Sequence, residues 1–152
     1  MRIPLLVRKK FDELMPFVIL TIRSAYVRRI IPILAVVDTG SPWTALTPED
    51  TLKLNIPIKS LHKAEKFVRV GFAGSSFWRC LLPDVTIYMK TDTGETAKFS
   101  LPSISVLLPM KGKLQKFKGI PSVLGCNFIT SEGFKLCFNP SKNVAFLEKE
   151  EI

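Results

Sequence analysis

Short segments rich in Val, Ile, Phe and Leu dominate the sequence, and most are separated by Gly, Pro, Asn or Asp. The first group of residues favours strands and the second favours turns, so the pattern predicts an all-β fold with little helix. We expect strands at 17–22, at 26–37 (one or two strands, with Pro32 at an edge or a bend), and at 67–71, 77–82, 85–90, 96–101, 103–108, 134–138 and 144–147.

The length of the chain suits one compact domain. It has 152 residues, 47% of them hydrophobic, and a domain of this size buries enough surface to fold without a disulfide or a metal. The chain has three cysteines and one histidine, and no two cysteines form a C-x-x-C pair; the cysteines are Cys80, Cys126 and Cys137. This usage disfavours a zinc site or a disulfide framework. We predict one domain over 1–152 with its core at about 17–147, no metal, no cofactor and a cytoplasmic location.

The charge balance is strongly basic, with 22 Lys and Arg against 13 Asp and Glu and a net charge of +9. Such an excess is compatible with nucleic-acid binding. The basic residues are nevertheless spread along the chain, and no nucleic-acid-binding motif accompanies them, so we expect a solubilising surface and disfavour a nucleic-acid partner. No apolar run approaches the roughly 18 residues of a membrane-spanning helix, so we expect no membrane partner.

Two hairpins and two short helices are predicted between the strands. One hairpin turns at 71–76 and the other at Asp92-Thr93-Gly94, where Asp and Gly tolerate the positive φ of a tight turn. A helix is expected from Pro48 to about Leu54, with the hydroxyl of Thr47 as its N-cap. A shorter helical turn at 127–131 would end at Gly133.

The most informative residue is Asp38, which follows four apolar residues of a predicted buried strand. Burial makes a carboxylate costly to ionise, so an aspartate in this place usually has a function. Gly40 lets the backbone turn sharply and bring amide hydrogens to the carboxylate, while Thr39 and Ser41 supply hydroxyls that can donate to it. Asp92 begins the same Asp-Thr-Gly tripeptide, but its polar neighbours indicate a solvated turn. A purely structural role for Asp38 in a buried turn stays open.

Three ordered features resemble the retropepsin-type aspartic proteases, over roughly residues 17–147. The first is the segment 36–41, an apolar strand that ends in Asp-Thr-Gly. The segments 45–49 and 54–56 follow it at a spacing similar to that of the family. The second is 121–129, two aliphatic residues and a glycine that open a short helix, with a strand after it at 134–138. The third is the hairpin at 71–76, which falls where the family carries its mobile flap. The resemblance implies a closed or partly open β-barrel with a flap hairpin and one or two short helices.

The resemblance also implies a mechanism. Aspartic proteases need two carboxylates that share one proton, one to activate water and the other to protonate the scissile carbonyl. This chain offers one suitable aspartate, and 53 residues between Asp38 and Asp92 are too few for a second lobe. We therefore expect a homodimer with the two copies of Asp38 on its two-fold axis.

The implied catalytic residues are Asp38, Thr39 and Gly40, with Thr39 bonding across the interface to the partner's loop. A peptide or unfolded protein substrate would bind as an extended strand. The implied substrate-binding residues lie in the motif, in the flap and beside the motif: Ser41; Gly71, Phe72, Ala73 and Gly74; Val123, Leu124 and Gly125. Phe77 and Trp78 would add apolar surface at the flap, although core packing explains such side chains equally well.

Two other functions fit the sequence less fully. A retropepsin-like domain that no longer cleaves could serve as a peptide-binding or dimerisation module. A small β-barrel that binds nucleic acid would explain the positive charge, and its affinity would fall steeply with salt. The second alternative leaves the expected burial of Asp38 unexplained.

Overall fold

The computed structural model describes residues 1–70, 75–109 and 119–150, and their side chains other than those of 62–70, 75–77 and 109. Its strands are β1 (Arg2–Pro4), β2 (Leu6–Lys10), β3 (Glu13–Arg23), β4 (Ile33–Asp38), β5 (Ala45–Leu46), β6 (His62–Val70), β7 (Ser75–Lys90), β8 (Thr96–Pro109), β9 (Ser122–Gly125), β10 (Lys135–Asn139) and β11 (Val144–Glu148). The α-helices are α1 (Pro48–Lys53) and α2 (Cys126–Glu132), and 3-10 turns lie at Ile58–Ser60 and Pro140–Lys142. The all-β prediction is confirmed.

The larger sheet closes on itself. Its eight strands run in the order β2-β3-β4-β9-β5-β8-β7-β6, and β3 also pairs with β7. That additional pairing joins Thr21 to Tyr88 and Arg23 to Thr86 in antiparallel register. Because β3 pairs with both β4 and β7, six strands form a ring with no free edge between them. The predicted barrel is therefore present.

A second sheet of three strands joins the two ends of the described chain. Its order is β1-β11-β10, so the strand nearest the amino terminus lies beside the last strand. The side chain of Glu148 on β11 contacts Arg2 on β1 at 2.8 Å and Lys135 on β10 at 3.6 Å. These ion pairs reinforce the register that the backbone hydrogen bonds set.

Strand β4 separates two apolar clusters because successive side chains point to opposite faces of a sheet. Ile33, Ala35 and Val37 belong to the main core, which also holds the fully buried Phe128. Val36 points the other way, into a small cluster with Phe17 and Val123. The residue that follows Val37 thus lies on the face of the small cluster rather than in the main core.

Most of the predicted elements form, with some corrections. The strands around the Asp92-Thr93-Gly94 turn pair from Lys90 with Thr96 onward, and Gly94 has φ 86°, as predicted for a tight turn. The helix at Pro48 forms, but the predicted N-cap is wrong because the Thr47 hydroxyl makes no capping hydrogen bond. The backbone amide of Thr47 donates to Ser122 Oγ at 3.0 Å. The second helix ends at Gly133 with φ 71°.

The predicted strand at 26–37 forms only in part. Residues 26–32 lie outside the sheets, and β4 begins at Ile33. The amides of Arg28 and Arg29 both donate to the carbonyl of Leu54 at 3.2 Å, so this segment is held against the end of α1 instead. Strands β6 and β7 pair antiparallel up to Val70 with Ser75, and the predicted flap residues Gly71–Gly74 lie outside the described residues.

The amino-terminal hairpin was not predicted. Strand β2 pairs antiparallel with the first part of β3, from Leu6 with Phe17 to Lys10 with Glu13. Phe11 and Asp12 form the turn. Within the described part of the chain, no helix is long and apolar enough to cross a membrane.

Candidate active site

Asp38 is the last residue of β4, and its carboxylate is held by the loop that follows. The amide of Gly40 donates to Asp38 Oδ1 at 2.8 Å, and the amide of Ser41 donates to the Asp38 carbonyl at 3.2 Å. The predicted bond between the backbone after Asp38 and its carboxylate is therefore present. A Cβ atom at Gly40 would lie 3.2 Å from Oδ1, so glycine at this position leaves the carboxylate uncrowded.

Asp38 is half-buried rather than fully buried, which corrects the expectation from its apolar neighbours. The strand before it is covered on both faces at Ala35, Val36 and Val37, but β4 ends at the surface of the barrel. Thr39 and Gly40 are exposed. The Asp-Thr-Gly loop thus lies at the surface, where a ligand or a second chain can reach it.

Ser41 has a different hydrogen bond from the one expected. Its hydroxyl donates to the carbonyl of Trp43 at 2.8 Å, not to the Asp38 carboxylate. The Ser41 carbonyl accepts a bond from the amide of Cys126 at 2.7 Å. Ser41 therefore braces the loop and ties it to the start of α2.

Strand β9 supports the loop from the side. It runs parallel to β4, with Val36 opposite Val123, Val37 opposite Leu124 and Asp38 opposite Gly125. Leu124 is fully buried and packs in the main core, whereas Val123 faces the small cluster. The structure thus brings Val123, Leu124 and Gly125 beside the motif, as the sequence predicts.

Gly125 is required by close packing against the loop. A Cβ atom there would lie 2.9 Å from the Ser41 carbonyl oxygen and closer still to the carbonyl group of Trp43. Real Cβ atoms essentially never approach other atoms within 3.0 Å, so a side chain would displace the loop backbone. The bare backbone of Gly125 lets the Asp38 loop lie directly against β9.

Thr44 completes this support, and no sequence pattern singles it out. Its hydroxyl accepts a bond from the Gly125 amide at 3.1 Å and donates to Asn127 Oδ1 at 2.9 Å. Its carbonyl accepts from the Ser105 amide at 2.9 Å. One buried threonine therefore joins the loop to β9, α2 and β8. These partners are distant in sequence, and no local pattern indicates such contacts.

An apolar cleft of about 200 Å³ adjoins Asp38. Its lining is Phe11, Met15, Pro16, Val36, Val37, Asp38 and Pro121. A carboxylate at the edge of an apolar surface is suited to act on a polar bond next to a bulky side chain.

The predicted apolar residues of the flap are only partly described. Trp78 is half-buried on β7, whereas Phe72 and the side chain of Phe77 lie outside the described residues. No cluster of metal-binding side chains occurs among the described residues.

This architecture is similar to that of a solved retropepsin-like protease. The retropepsin-like aspartic protease from Rickettsia conorii matches 97% of this chain and 90% of its own, with a TM-score of 0.53 and 19% identity. The chain has a retropepsin-like fold. The predicted retropepsin-like barrel is therefore confirmed at the level of the fold.

Two further structures of the same kind are less similar. The EIAV protease complexed with the inhibitor HBY-793 is 20% identical and matches 87% of this chain and 100% of its own, with a TM-score of 0.47. The retroviral protease-like domain of Ddi1 from Leishmania major is 12% identical and matches 80% of this chain and 79% of its own, with a TM-score of 0.48. No protein-family model and no curated protein matches the sequence.

Proposed function

We propose that this protein is an aspartic endopeptidase that acts as a homodimer and cleaves peptides or unfolded proteins. The observation that carries the proposal is the Asp38 carboxylate, held by the Gly40 amide at the end of a buried strand and beside an apolar cleft, within a retropepsin-like fold. A carboxylate fixed in this way is positioned to accept or donate a proton at a peptide bond.

The single chain supplies one suitable carboxylate, and this is the reason for proposing a dimer. Asp92, which begins the second Asp-Thr-Gly, is exposed, and its amide donates to the Arg2 carbonyl at 3.0 Å. Asp92 therefore lies beside β1 and is not part of the Asp38 cleft. In the proposed dimer each chain contributes Asp38 to one site, in an isologous contact between the two loops.

The proposed reaction is hydrolysis of the peptide bond by water. One Asp38 carboxylate takes a proton from the attacking water, and the protonated Asp38 of the other copy gives its proton to the carbonyl oxygen. The tetrahedral intermediate then collapses as the Asp38 that took the proton from water gives it to the leaving nitrogen, and the other Asp38 takes a proton from a hydroxyl of the intermediate, which breaks the C–N bond and restores the shared proton. The exposed Thr39 hydroxyl is the group proposed to bond to the partner's loop and keep the two carboxylates in one plane.

Substrate is proposed to bind as an extended strand with one bulky apolar side chain in the 200 Å³ cleft. That volume suits a single side chain rather than a whole drug-sized ligand. The proposed ligands include neither membrane nor nucleic acid. The cytoplasmic location, the single domain over 1–152 and the flap role of Gly71, Phe72, Ala73 and Gly74 stay predictions.

The test replaces Asp38→Asn and measures cleavage of an unfolded protein at mildly acidic pH. Because general acid–base catalysis is lost, we expect the rate to fall by at least ~100-fold while the dimer persists in sedimentation. Asp92→Asn is the matched control, since it removes the same charge from the same tripeptide in an exposed turn, and it should cleave normally. Cleavage retained by Asp38→Asn rejects the proposal. Peptide binding without any cleavage by the unchanged protein would favour the inactive peptide-binding module.

A further inference from the structure

The amino-terminal hairpin, residues 6–16, precedes the sequence motifs that resemble retropepsins, and it reaches the Asp38 cleft. Its turn residues Phe11 and Asp12 have φ of 51° and 63°. A two-residue turn with positive φ at both positions favours Asn, Asp or Gly, and a bulky aromatic residue is strained there. The chain therefore holds Phe11 in a conformation that its side chain disfavours.

The position of Phe11 suggests what this strain maintains. The ring is 51% exposed at the tip of the hairpin, and it lines the cleft together with Met15 and Asp38. Strained residues that persist in a fold often lie at ligand-binding sites. A half-exposed aromatic ring at the entrance of an apolar cleft provides a surface that can pack on a bound side chain.

The same hairpin carries basic side chains next to residues that line this cleft. Leu6, Arg8 and Lys10 share one face of β2, and Arg8 lies opposite Met15, which lines the cleft. Lys10 Nζ lies 5.8 Å from the centre of the Phe11 ring. Aromatic ring and basic side chains thus occupy neighbouring positions on one surface.

A second, wider cleft of about 490 Å³ shares the lining residue Pro121 with the first. Arg8, Lys9 and Lys10 line it from the hairpin, and Lys53 lines it from α1.

The second cleft also contains two carboxylates, but both have partners. Asp50 accepts a hydrogen bond from Ser122 and pairs with Lys53 at 3.8 Å, and Glu49 accepts from the Gly119 amide at 3.4 Å. Among the described residues, Arg8, Lys9 and Lys10 form no ion pair with any carboxylate of the chain. The hairpin side of this cleft therefore carries three basic side chains that form no ion pair in the described part of the chain, with Glu13 opposite Lys10 in the hairpin register.

We propose that the amino-terminal hairpin is a specificity element: Phe11 packs on a bulky apolar side chain in the Asp38 cleft, and Arg8, Lys9 and Lys10 favour acidic residues further along the same extended peptide. The inference rests on the proposed function, and it names the substrate class of that site. Charge complementarity at a wet rim selects among ligands and adds modestly to affinity. The favoured substrates are peptides with an apolar residue followed or preceded by Asp or Glu.

The first experiment measures peptide binding to Asp38→Asn, which separates recognition from cleavage. Two fluorescent peptides share a Phe-containing segment and differ only by Glu or Gln in the flanking positions. We expect the Glu peptide to bind about 3- to 10-fold more tightly at low salt, with the preference shrinking as salt rises. Adding Arg8→Gln and Lys10→Gln should remove the preference. Lys98→Gln, which removes an exposed charge on β8, is the control that should keep it.

The second experiment replaces Phe11→Asn and measures folding and binding together. Asn accepts positive φ, so the melting temperature should stay the same or rise, while affinity for both peptides falls about 10-fold. A loss of affinity in an equally stable protein excludes general unfolding as its cause.

Equal binding of the two peptides, or unchanged binding after Phe11→Asn, overturns the inference. A change in dimer dissociation with unchanged peptide affinity would assign Phe11 to the contact between copies and also overturn it. Absence of cleavage by the unchanged protein rejects the proposed endopeptidase, and the binding comparison still decides the role of the hairpin.

Discussion

Replacement of Gly125 by alanine tests the packing of β9 against the Asp38 loop. The new Cβ atom would lie 2.9 Å from the Ser41 carbonyl oxygen and nearer still to the Trp43 carbonyl group, both of them backbone atoms that no rotamer change can move aside. The loop must therefore shift as a unit, by a distance on the order of 1 Å, and a misplacement of that size near a reacting group costs ~100-fold in rate. Overpacking of a close contact also destabilises a fold by about 1–3 kcal/mol.

The assay combines urea unfolding with cleavage of a fluorogenic peptide under conditions where the variant is folded. In a parallel thermal melt, each kcal/mol lost should lower the melting temperature of a chain this size by roughly 2–4 °C. Gly94→Ala is the matched control: its φ of 86° makes alanine strained, but nothing lies within 4 Å of the added Cβ. We expect Gly94→Ala to lose stability and keep its cleavage rate. Full activity of Gly125→Ala would refute the reasoning, because the loop would then tolerate displacement.

Two further predictions concern stability. Ser122→Ala removes the 2.5 Å hydrogen bond to the buried Asp50 carboxylate. It should lower the free energy of unfolding, measured in urea, by about 1–3 kcal/mol. Ser141→Ala on the surface is the control and should change this free energy little, so equal losses would contradict the assignment. The hydrogen bond from Arg2 lowers the pKa of the half-buried Glu148 carboxyl below its ordinary value of 4.5. Because the pKa of Glu148 is lower in the folded chain than in the unfolded chain, its ionised carboxylate stabilises the fold at pH values above the unfolded pKa of about 4.5. This stabilisation is lost as the pH falls from about 4.5 through the pKa of the folded chain. Arg2→Ala should therefore raise the Glu148 titration midpoint in NMR, and an unmoved midpoint would exclude the bond in solution.

The parts of the fold that were predictable have a strong local signal. The hairpin between β7 and β8 was predicted because a turn-forming tripeptide separates two apolar runs, and Gly94 has the positive φ that such a turn needs. Helix α1 was predicted because Pro48 is suited to a first helical turn. In both cases residues close in sequence determine the conformation.

The missed and mistaken parts depend on distant contacts. Strand β2 was missed because its turn has positive φ at both Phe11 and Asp12. Two-residue turns of that kind usually contain Asn or Gly, and Phe at the first position does not indicate one. Residues 26–32 were assigned to a strand from their apolar content, but the amides of Arg28 and Arg29 bond to the carbonyl of Leu54, which no local pattern announces.

The candidate site divides in the same way. The bond from the Gly40 amide to Asp38 was predictable because both residues belong to one tight loop. The burial of Asp38 was overestimated because apolar neighbours indicate the environment of the strand, not the point where it leaves the barrel. Thr44 was missed because its partners lie on β8, β9 and α2.

The central claim, that two copies of Asp38 form one site, is tested most directly by mixing subunits. Unchanged protein and Asp38→Asn are refolded together in varying ratios, and cleavage is measured at constant total concentration. If each site needs both carboxylates, activity follows the square of the unchanged fraction, so an equal mixture retains about one quarter of full activity. A linear decline, with about one half of the activity in the equal mixture, would show that each chain acts with its own Asp38, and about three quarters would show that one Asp38 per dimer suffices; either result would contradict the account.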